Sequence, residues 1–495
     1  MKKIFAILFL FTFALMSCDK FGEFEKNPNT PGEVPPSLIF TRLLEDMTYS
    51  PWSDVQRWNQ FWCSNYAYYD DQEYSWTTTN FNFSELNNVK QMVAEAKRIG
   101  LPENNAYSAI GKFFYAYFYI DMTMRLGDVP LTEALSGLDN FTPAYNSQKE
   151  VFKQALAWLE ESNNDLQLLI KSNDKSLNGD FMLDNNLSQW QKVVNAYKLR
   201  VLITLSSKEN DNDLNIKQLF ANLIQDPAKY PLMTSLSDNL VYTFNSGNEK
   251  YPLNPDNYGF TATRNNMSAT YLNMVVALHD PRTFIVADPA PKKLEEGLTA
   301  ADFEAYVGAS SGESLDDMST KMLNGEYSAI SKDKYYSSYA GEPCIQIGYI
   351  EQCFNIAEAI NRGWVSGNAE EQYTNGILAS WEFHGADVAA NWTDYYNQAS
   401  VKYQGNNTAG LEQVLVQKYL GFFQNSGWEA YNNYRRTGIP EFLTGPGTGN
   451  SGRIAIRWQY PSSERTTNAE NYLSALKSQF SSENDDINTE MWLLK

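Results

Sequence analysis

An aromatic stretch in the first part of the chain has the residue types best suited to contact a flat ligand. Residues 57–76 contain eight aromatic side chains in twenty positions, against 14% in the whole chain. Four of them lie among acids and amides, namely Tyr68, Tyr69, Tyr74 and Trp76 beside Asp70, Asp71, Gln72 and Glu73. Exposed rings beside hydrogen-bonding groups suit a sugar, which has an apolar C–H face and a rim of hydroxyls. A peptide can use the same chemistry, and a surface loop whose aromatics fold back under it is the structural alternative.

The first half of this stretch has a different period. Trp58, Phe61, Trp62 and Tyr66 fall at the spacing of one helix face. The spacing predicts a helix whose aromatic face packs in the core. Beyond Tyr66 the helical period ends, and we expect the backbone to lie at the surface.

The elements that must position these residues are predicted to be helices. Apolar residues recur at three- and four-residue spacing in long segments, while strands are scarce. One segment begins with the capping-box residues Ser147 and Glu150. Short turns between the segments predict an all-α fold of stacked helical hairpins of tetratricopeptide-like type. The segments are 105–126, 147–170, 187–206, 345–362, 369–383 and 411–434.

One region departs from the helical pattern. Residues 232–339 are punctuated by Gly, Asn, Ser, Asp and Pro, and apolar periodicity is weak outside 268–278 and 301–306. Loops of this length are usually functional or disordered. We predict a loop-rich insert within a single domain that spans residues 31–495.

The N-terminal residues have the pattern of a secretory signal. The first three residues, MKK, are positive, and the apolar run at 4–16 is too short to span a bilayer. LMSC at 15–18 resembles the bacterial lipobox, in which the cysteine becomes the lipidated first residue. We therefore predict a signal peptide over 1–17, a lipidated Cys18 at the head of a tether over 18–30, and attachment to a membrane by lipid alone. An ordinary signal peptide with a chance cysteine is the alternative.

The overall charge narrows the classes of ligand. The formal net charge is −20, and the histidines are His279 and His384. Nucleic-acid binding needs clustered Lys and Arg, and long-range repulsion disfavours polyanions, so neutral or cationic solutes remain. Two histidines also exclude a histidine-rich metal centre, and no cofactor is indicated.

Three cysteines follow Cys18: Cys63, Cys344 and Cys353. The odd number leaves at least one of them as a thiol or paired between chains. A bridge between Cys344 and Cys353 suits an exported protein, but two buried thiols are favoured.

Two short motifs are better explained as turns than as catalytic or metal sites. GASSG at 308–312 has the spacing of a hydrolase nucleophile elbow, but no strand precedes it and acidic residues follow it. DKSLNGD at 174–180 resembles a calcium loop, but Asn185 stands where a bidentate Glu is expected. The 59 acidic residues give no discriminating spacing for a glycosidase. We assign no catalytic residue and no metal site.

A series of short motifs runs in order along almost the whole chain. After the lipobox these are NPNTP at 27–31, LGDVPL at 126–131, GD at 179–180, NAYKLR at 195–200, DPR at 280–282, AEA at 357–359, RGW at 362–364, YRRTGIP at 434–440 and RWQYP at 457–461. Their order and spacing together resemble the SusD/RagB-type nutrient-binding outer-membrane lipoproteins. Charged residues in and beside these motifs, Arg200, Arg282, Glu351 and Glu358, are expected to form ion pairs or helix-end contacts.

The resemblance implies a function without catalysis. A protein of this family is a cell-surface lipoprotein that captures oligosaccharides and delivers them to a partner TonB-dependent outer-membrane β-barrel transporter. The same role with oligopeptides is the first alternative, and a surface glycoside hydrolase is the second.

The resemblance also suggests where a ligand binds, because family members generally bind it where loops of the middle region meet the N-terminal part. Here the middle region supplies Tyr251, Tyr258, Phe260, Arg264, Asn265, Asn266, Tyr335, Tyr336 and Tyr339. We hypothesise that these loops and residues 68–76 form one site. Its predicted ligand-binding residues are Tyr68, Tyr69, Tyr74, Trp76, Tyr258, Phe260, Arg264 and Asn266.

Overall fold

Helices that pack against their neighbours in the chain form the scaffold. A computed structural model describes residues 33–66 and 72–495, so the signal peptide, Cys18, Tyr68 and Tyr69 lie outside the described residues. The helices of the N-terminal half are α1 (Pro36–Asp46), α2 (Asp54–Trp58), α3 (Phe83–Arg98), α4 (Ala106–Leu126), α5 (Gln148–Lys171), α6 (Leu187–Thr204) and α7 (Ile216–Gln225).

The insert of residues 232–339 is built from short elements. Its helices are α8 (Tyr258–Thr261), α9 (Ala269–Ala277), α10 (Thr283–Val286), α11 (Pro291–Glu295), α12 (Leu315–Leu323) and α13 (Lys332–Tyr335). Residues 301–306 form only a 3₁₀ turn, Phe303–Ala305. The buried rings of Tyr271 and Tyr335 belong to the main core and anchor the insert to the scaffold.

The C-terminal part is again helical. Its helices are α14 (Tyr349–Asn361), α15 (Ala369–His384), α16 (Val388–Tyr396), α17 (Thr408–Gly421), α18 (Glu429–Thr437), α19 (Glu464–Thr467) and α20 (Ala469–Phe480). The long helices pack in pairs, α4 with α5, α5 with α6, α14 with α15 and α14 with α17. The predicted all-α class of stacked helical hairpins is confirmed.

Local sequence signals explain where the long helices begin and end. The side chain of Asn105 accepts a hydrogen bond from the N–H of Ser108 at 3.0 Å and so caps α4. Ser147 and Glu150 form the predicted capping box of α5. Helix α4 ends at Leu126, and Gly127 follows it with a φ of 92°, a value that favours glycine.

Short strands connect parts of the chain that are far apart in sequence. The strands are β1 (Trp62–Ser64), β2 (Val129–Pro130), β3 (Tyr145–Asn146), β4 (Leu240–Tyr242), β5 (Asn265–Met267) and β6 (Cys344–Ile347). They pair antiparallel as β1 with β5, β2 with β3, and β4 with β6. The β1–β5 ribbon aligns Cys63 with Asn266 and fixes the N-terminal aromatic stretch against the insert.

Three predicted helix boundaries are wrong, each for a structural reason. Helix α2 ends at Trp58, since Gln60 adopts a φ of 59° and the chain then enters β1. Residues 345–347 belong to β6, because they pair with β4. The segment 411–434 divides into α17 and α18, because Gln424, with a φ of 59°, starts a left-handed turn between them.

The predicted ion pairs are confirmed and link the helices. Arg200 of α6 donates from Nε to Glu351 Oε1 of α14 at 2.8 Å and makes a second bond to the same carboxylate. Arg282 contacts Asp280 at 2.7 Å with both side chains 0% exposed. Glu358 of α14 accepts from Arg436 of α18 at 2.9 Å. The Arg200–Glu351 and Glu358–Arg436 pairs connect α6, α14 and α18 through the core, and the Arg282–Asp280 pair stabilises one motif internally.

The pKa of Glu358 reflects this environment. Burial raises the pKa, but the positive charges of Arg436 and Lys418 outweigh burial and lower it to about 2. The carboxylate therefore stays ionised inside the core at neutral pH, because its cationic partners are fixed around it.

The three cysteines within residues 33–66 and 72–495 are not bridged. Cys63, Cys344 and Cys353 are buried thiols, which confirms the favoured alternative. Burial raises the pKa of the Cys63 thiol to about 11. Among the helices of 33–66 and 72–495, none has both the length and the apolar composition needed to cross a bilayer.

Candidate ligand-binding site

A cavity of about 370 Å³ opens where the β1–β5 ribbon meets the insert. We call it the ribbon cavity and define it by Trp52, Trp62, Tyr66, Phe260 and Arg264. The first three residues come from the N-terminal segment and the last two from the insert. The insert therefore meets residues 52–66 of the N-terminal segment here, whereas residues 72–76 of the predicted site do not line the cavity.

Two tryptophans of the ribbon cavity are fixed by hydrogen bonds. Trp52 is 6% exposed, and its indole N–H donates to the Tyr251 hydroxyl at 2.8 Å. Trp62 is 4% exposed, and its indole N–H donates to the carbonyl of Ser53 at 3.2 Å. Because these rings cannot turn without breaking a hydrogen bond, they present a rigid apolar surface.

The other aromatic residues of the ribbon cavity face solvent. Tyr66 is 41% exposed and Phe260 is 62% exposed. The guanidinium carbon of Arg264 lies 4.3 Å from the Tyr66 ring centroid and 5.6 Å from that of Phe260. These distances place the cation over both rings and hold the two segments at one rim.

Backbone hydrogen bonds continue the ribbon to this rim. The N–H of Asn65 donates to the Arg264 carbonyl at 2.8 Å, and the Asn65 side chain donates to the Thr263 carbonyl at 3.1 Å. Tyr66 and Arg264 are therefore positioned by strand pairing between segments about 200 residues apart. The register of that pairing fixes the two side chains relative to each other.

Polar groups of the insert complete the ribbon cavity. Asn257 and Thr261 line it beside Ser64 and Asn265. Asn257 donates to the Pro252 carbonyl at 2.6 Å, and Thr261 donates to the Tyr336 hydroxyl at 2.9 Å. Amides and hydroxyls beside exposed rings can hold a ligand that has both an apolar face and hydroxyls.

Some of the predicted site residues line the ribbon cavity and others do not. Phe260 and Arg264 line the ribbon cavity. Tyr258 is half-buried next to it and packs edge-on against Tyr336, with ring centroids 5.0 Å apart. Asn266 is 0% exposed in the middle of the β1–β5 ribbon, so it does not reach the cavity surface.

The expected exposure of Tyr74 and Trp76 is wrong. Tyr74 is 1% exposed, and its hydroxyl donates to the Trp58 carbonyl at 2.7 Å. Trp76 is 7% exposed and stacks on Trp458 with ring centroids 3.8 Å apart. The neighbouring acids and amides suggested a surface loop, but alternate side chains of an extended segment can point inward while the others face water. Both rings are core residues, as the fold-back alternative allowed.

Sequence reasoning missed the remaining members of the ribbon cavity. The spacing of Trp62 and Tyr66 predicts a helix face, and the sequence around Trp52 gives no signal of a site. Trp52 adopts a φ of 58°, which no sequence pattern signals for a tryptophan. The one signal in the sequence is the end of the helical period after Tyr66, which indicates that the backbone changes conformation near this residue.

Within the described residues no group of three or more His, Cys, Asp or Glu side chains is arranged to hold a metal ion. The calcium-like loop uses its acids locally instead. Asp174 accepts from the Ser176 N–H at 3.0 Å, and Asp180 accepts from the Leu183 N–H at 2.9 Å. These bonds stabilise a turn, as the sequence suggested.

A helical scaffold with a loop-built aromatic cavity defines the class of this protein. The family model for SusD-like proteins, described as starch-binding and associating with the outer membrane, matches residues 28–461. The chain belongs to this family. No curated protein matches the sequence.

Solved structures agree with the assignment. A SusD homolog from Bacteroides fragilis NCTC 9343 is 31% identical, with a TM-score of 0.83 over 93% of this chain and 100% of that one. An outer membrane protein from Bacteroides vulgatus ATCC 8482, associated by name with nutrient binding, is 30% identical, with a TM-score of 0.82 and the same coverage. A chitin-binding SusD homolog from Flavobacterium johnsoniae shares the fold at 18% identity, with a TM-score of 0.73 over 93% of this chain and 98% of that one.

Proposed function

We propose that the protein binds oligosaccharides at the cell surface and delivers them to a partner TonB-dependent outer-membrane transporter. The ribbon cavity is the observation that carries the proposal. It combines exposed rings with amides and hydroxyls, which suits the two faces of a sugar. The family description as starch-binding and the chitin-binding relative support the same class of ligand.

The volume and charge of the ribbon cavity support an oligosaccharide over other ligands. Its volume of about 370 Å³ holds a short segment of a chain whose remainder lies in solvent. Arg264 is the one charged side chain that lines the cavity among the described residues. A guanidinium donates hydrogen bonds to hydroxyl and ring oxygens, which a sugar supplies in number.

Binding without bond cleavage completes the proposal. A glycosidase needs two carboxyl groups about 5–10 Å apart across the scissile bond. No Asp or Glu lines the ribbon cavity in the part of the chain that the structure describes. Capture would rest on stacking and hydrogen bonding, and the modest affinity of such contacts suits release to a transporter.

The location of the protein is part of the same proposal. Lipidation of Cys18 would hold the domain of residues 31–495 on the outer membrane through the tether over 18–30. Metabolic labelling with a radioactive fatty acid should mark the wild-type chain and leave Cys18→Ala unmarked. An unlabelled wild-type chain would contradict the anchor but not the binding.

Calorimetric titration of the mature protein tests the ligand. Maltooligosaccharides and chitooligosaccharides serve as the sugar panel, and short basic and neutral peptides as the alternative. We expect binding to a sugar of at least two units, with no shorter products on chromatography after incubation. Binding of peptides alone would favour the oligopeptide role, and sugar cleavage would favour the hydrolase.

The transporter partner is tested by uptake. Cells that lack the partner barrel should lose import of the bound sugar, because the protein itself only captures it. Unaltered import in that strain would contradict delivery to the transporter while leaving the binding result intact.

A further inference from the structure

A second concave site lies among the helices and shares no lining residue with the ribbon cavity among the described residues. Its outer part has a volume of about 250 Å³ and its inner part about 40 Å³. Tyr49, Tyr117, Asp121, Arg125, Trp428 and Trp458 line both parts, so they form one continuous cleft. We call it the helical cleft.

One wall of the helical cleft is aromatic. The rings of Trp58 and Trp428 are nearly parallel, with an angle of 15° and centroids 5.7 Å apart. Trp458 meets Trp428 at 80° with centroids 4.9 Å apart. Both Trp58 and Trp428 are only half-buried, so this wall presents indole surface to whatever enters the cleft.

The opposite wall is a hydrogen-bond network around Asp121. The Asp121 carboxylate accepts from the Tyr49 hydroxyl at 2.6 Å, from Asn82 at 2.7 Å and from Arg125 at 2.7 Å. Arg125 also donates to the Thr79 hydroxyl at 2.7 Å. Groups held in such a network are already oriented before a ligand binds, which lowers the entropic cost of binding.

A carboxyl group lies at the inner end of the helical cleft. Glu429 lines the inner part and accepts from the Asn432 side chain at 3.1 Å. Burial raises the pKa of Glu429, and the charge of Arg200 opposes this effect. Whether ionised or protonated, a carboxyl group in this place can bond to a hydroxyl.

The charges of the helical cleft select against anions and give little attraction to cations. Arg125 is paired with Asp121, and Arg200 with Glu351, so neither offers an unbalanced positive charge. At the mouth Asp46 is paired with Arg42 at 2.7 Å and Glu85 adds a negative charge. At the inner end the charge of Arg435 opposes that of an ionised Glu429. A neutral ligand rich in hydroxyls fits this balance.

We infer that the helical cleft is a second binding site that takes one neutral sugar ring, with its C–H face against Trp428 and its hydroxyls towards Asp121 and Glu429. The outer volume lies below the range of about 300–1,000 Å³ for drug-sized ligands, which suits a single ring. The inference rests on the proposed function in its class of ligand. It adds a site for a monosaccharide unit that is separate from the ribbon cavity.

Saturation-transfer NMR and calorimetry of the mature protein test this inference. The probes are D-glucose, D-galactose and N-acetyl-D-glucosamine, with D-glucuronate and L-arginine as charged comparisons. We expect a neutral monosaccharide to bind and the affinity to fall at least about tenfold in Glu429→Leu and in Trp428→Ala. Phe260→Ala, in the ribbon cavity, is the matched control and should bind the monosaccharide normally.

Glu429→Leu keeps the approximate side-chain volume and removes the polar atoms, so it separates lost hydrogen bonding from a collapsed cleft. Glu429→Leu and Trp428→Ala are accepted as folded if their thermal unfolding midpoint and their oligosaccharide binding at the ribbon cavity are retained, and Phe260→Ala is accepted as folded by its thermal unfolding midpoint. Absence of monosaccharide binding in the wild type, preference for either charged probe, or unchanged affinity in folded Glu429→Leu would overturn the inference. If oligosaccharides bind and monosaccharides do not, the second site fails alone. If no sugar binds, the proposed function fails as well.

Discussion

The helical scaffold and the ribbon cavity use the same residue types in opposite ways. In the scaffold, Trp76 is 7% exposed on Trp458, and Glu358 is 0% exposed among cations. In the ribbon cavity, Phe260 is 62% exposed and Tyr66 is 41% exposed. Scaffold residues are fixed by protein partners, whereas the rim leaves ring surface for a ligand. Tertiary placement, not residue type, therefore separates the buried aromatic residues from those that can contact a ligand.

The largest expected effect is on stability and comes from a residue that the sequence assigned to ligand binding. Trp76→Ala should lower the free energy of unfolding by about 3–5 kcal/mol, because a buried stacked ring is lost. Denaturant unfolding measures this, and oligosaccharide affinity of the folded variant should stay unchanged. Lost affinity with unchanged stability would return Trp76 to the binding site and break the comparison.

Removing a scaffold charge should have a similar effect. Glu358→Ala leaves Arg436, Arg362 and Lys418 without their shared carboxylate, so the free energy of unfolding should fall by about 3–5 kcal/mol. The control is Glu326→Ala, which removes a surface pair with Lys292 at 3.2 Å and should cost about 0–1 kcal/mol. Equal losses in the two variants would contradict the special role of the buried cluster.

The pH dependence of stability tests whether the charge of Glu358 stabilises the fold. The pKa of Glu358 is about 2 in the folded protein against an ordinary 4.5, so its ionised form stabilises the fold above pH 4.5. That contribution, about 3 kcal/mol, is lost as the pH falls from about 4.5 through about 2. The difference in unfolding free energy between wild type and Glu358→Gln should therefore shrink over this interval. If the difference in unfolding free energy between wild type and Glu358→Gln stays constant with pH, the charge of Glu358 does not cause that difference.

The smallest expected effect on stability lies at the rim. Phe260→Ala should change the free energy of unfolding by less than about 0.5 kcal/mol, since the ring is exposed. It should weaken oligosaccharide binding by about 0.5–1.5 kcal/mol, up to roughly tenfold, as one stacking partner is lost. Leu323→Ala, at an 80% exposed position outside the ribbon cavity, should alter neither quantity. A stability loss in Phe260→Ala with normal affinity would make that ring part of the scaffold.

Local signals account for the parts of the fold that could be predicted. The period of α4, α5 and α6 and the capping box at Ser147 act within a few residues, and the structure confirms them. The helix predicted through Trp62 is wrong because strand pairing with a segment about 200 residues away competes with the local period. Helix propensity is a weak preference, and tertiary contacts override it.

The prediction named the insert correctly as one wall of the ribbon cavity, but the N-terminal residues that line the cavity precede the predicted residues 68–76. Phe260 and Arg264 line the ribbon cavity, whereas Trp52, Trp62 and Tyr66 were not assigned to it. Tyr68 and Tyr69 lie outside the described residues and stay predictions. Acids next to Tyr74 and Trp76 indicated solvent, but a side chain beside an exposed residue can itself be buried when the backbone is extended.

The sequence by itself determined the helical scaffold, the motifs of the family and the chemistry available to a ligand, because periodicity, caps and residue types are local properties. Which aromatic rings are buried and which face a cavity follows from the three-dimensional packing. Burial depends on contacts between distant segments, such as the β1–β5 ribbon that brings Tyr66 to Arg264. No spacing along the chain records those contacts.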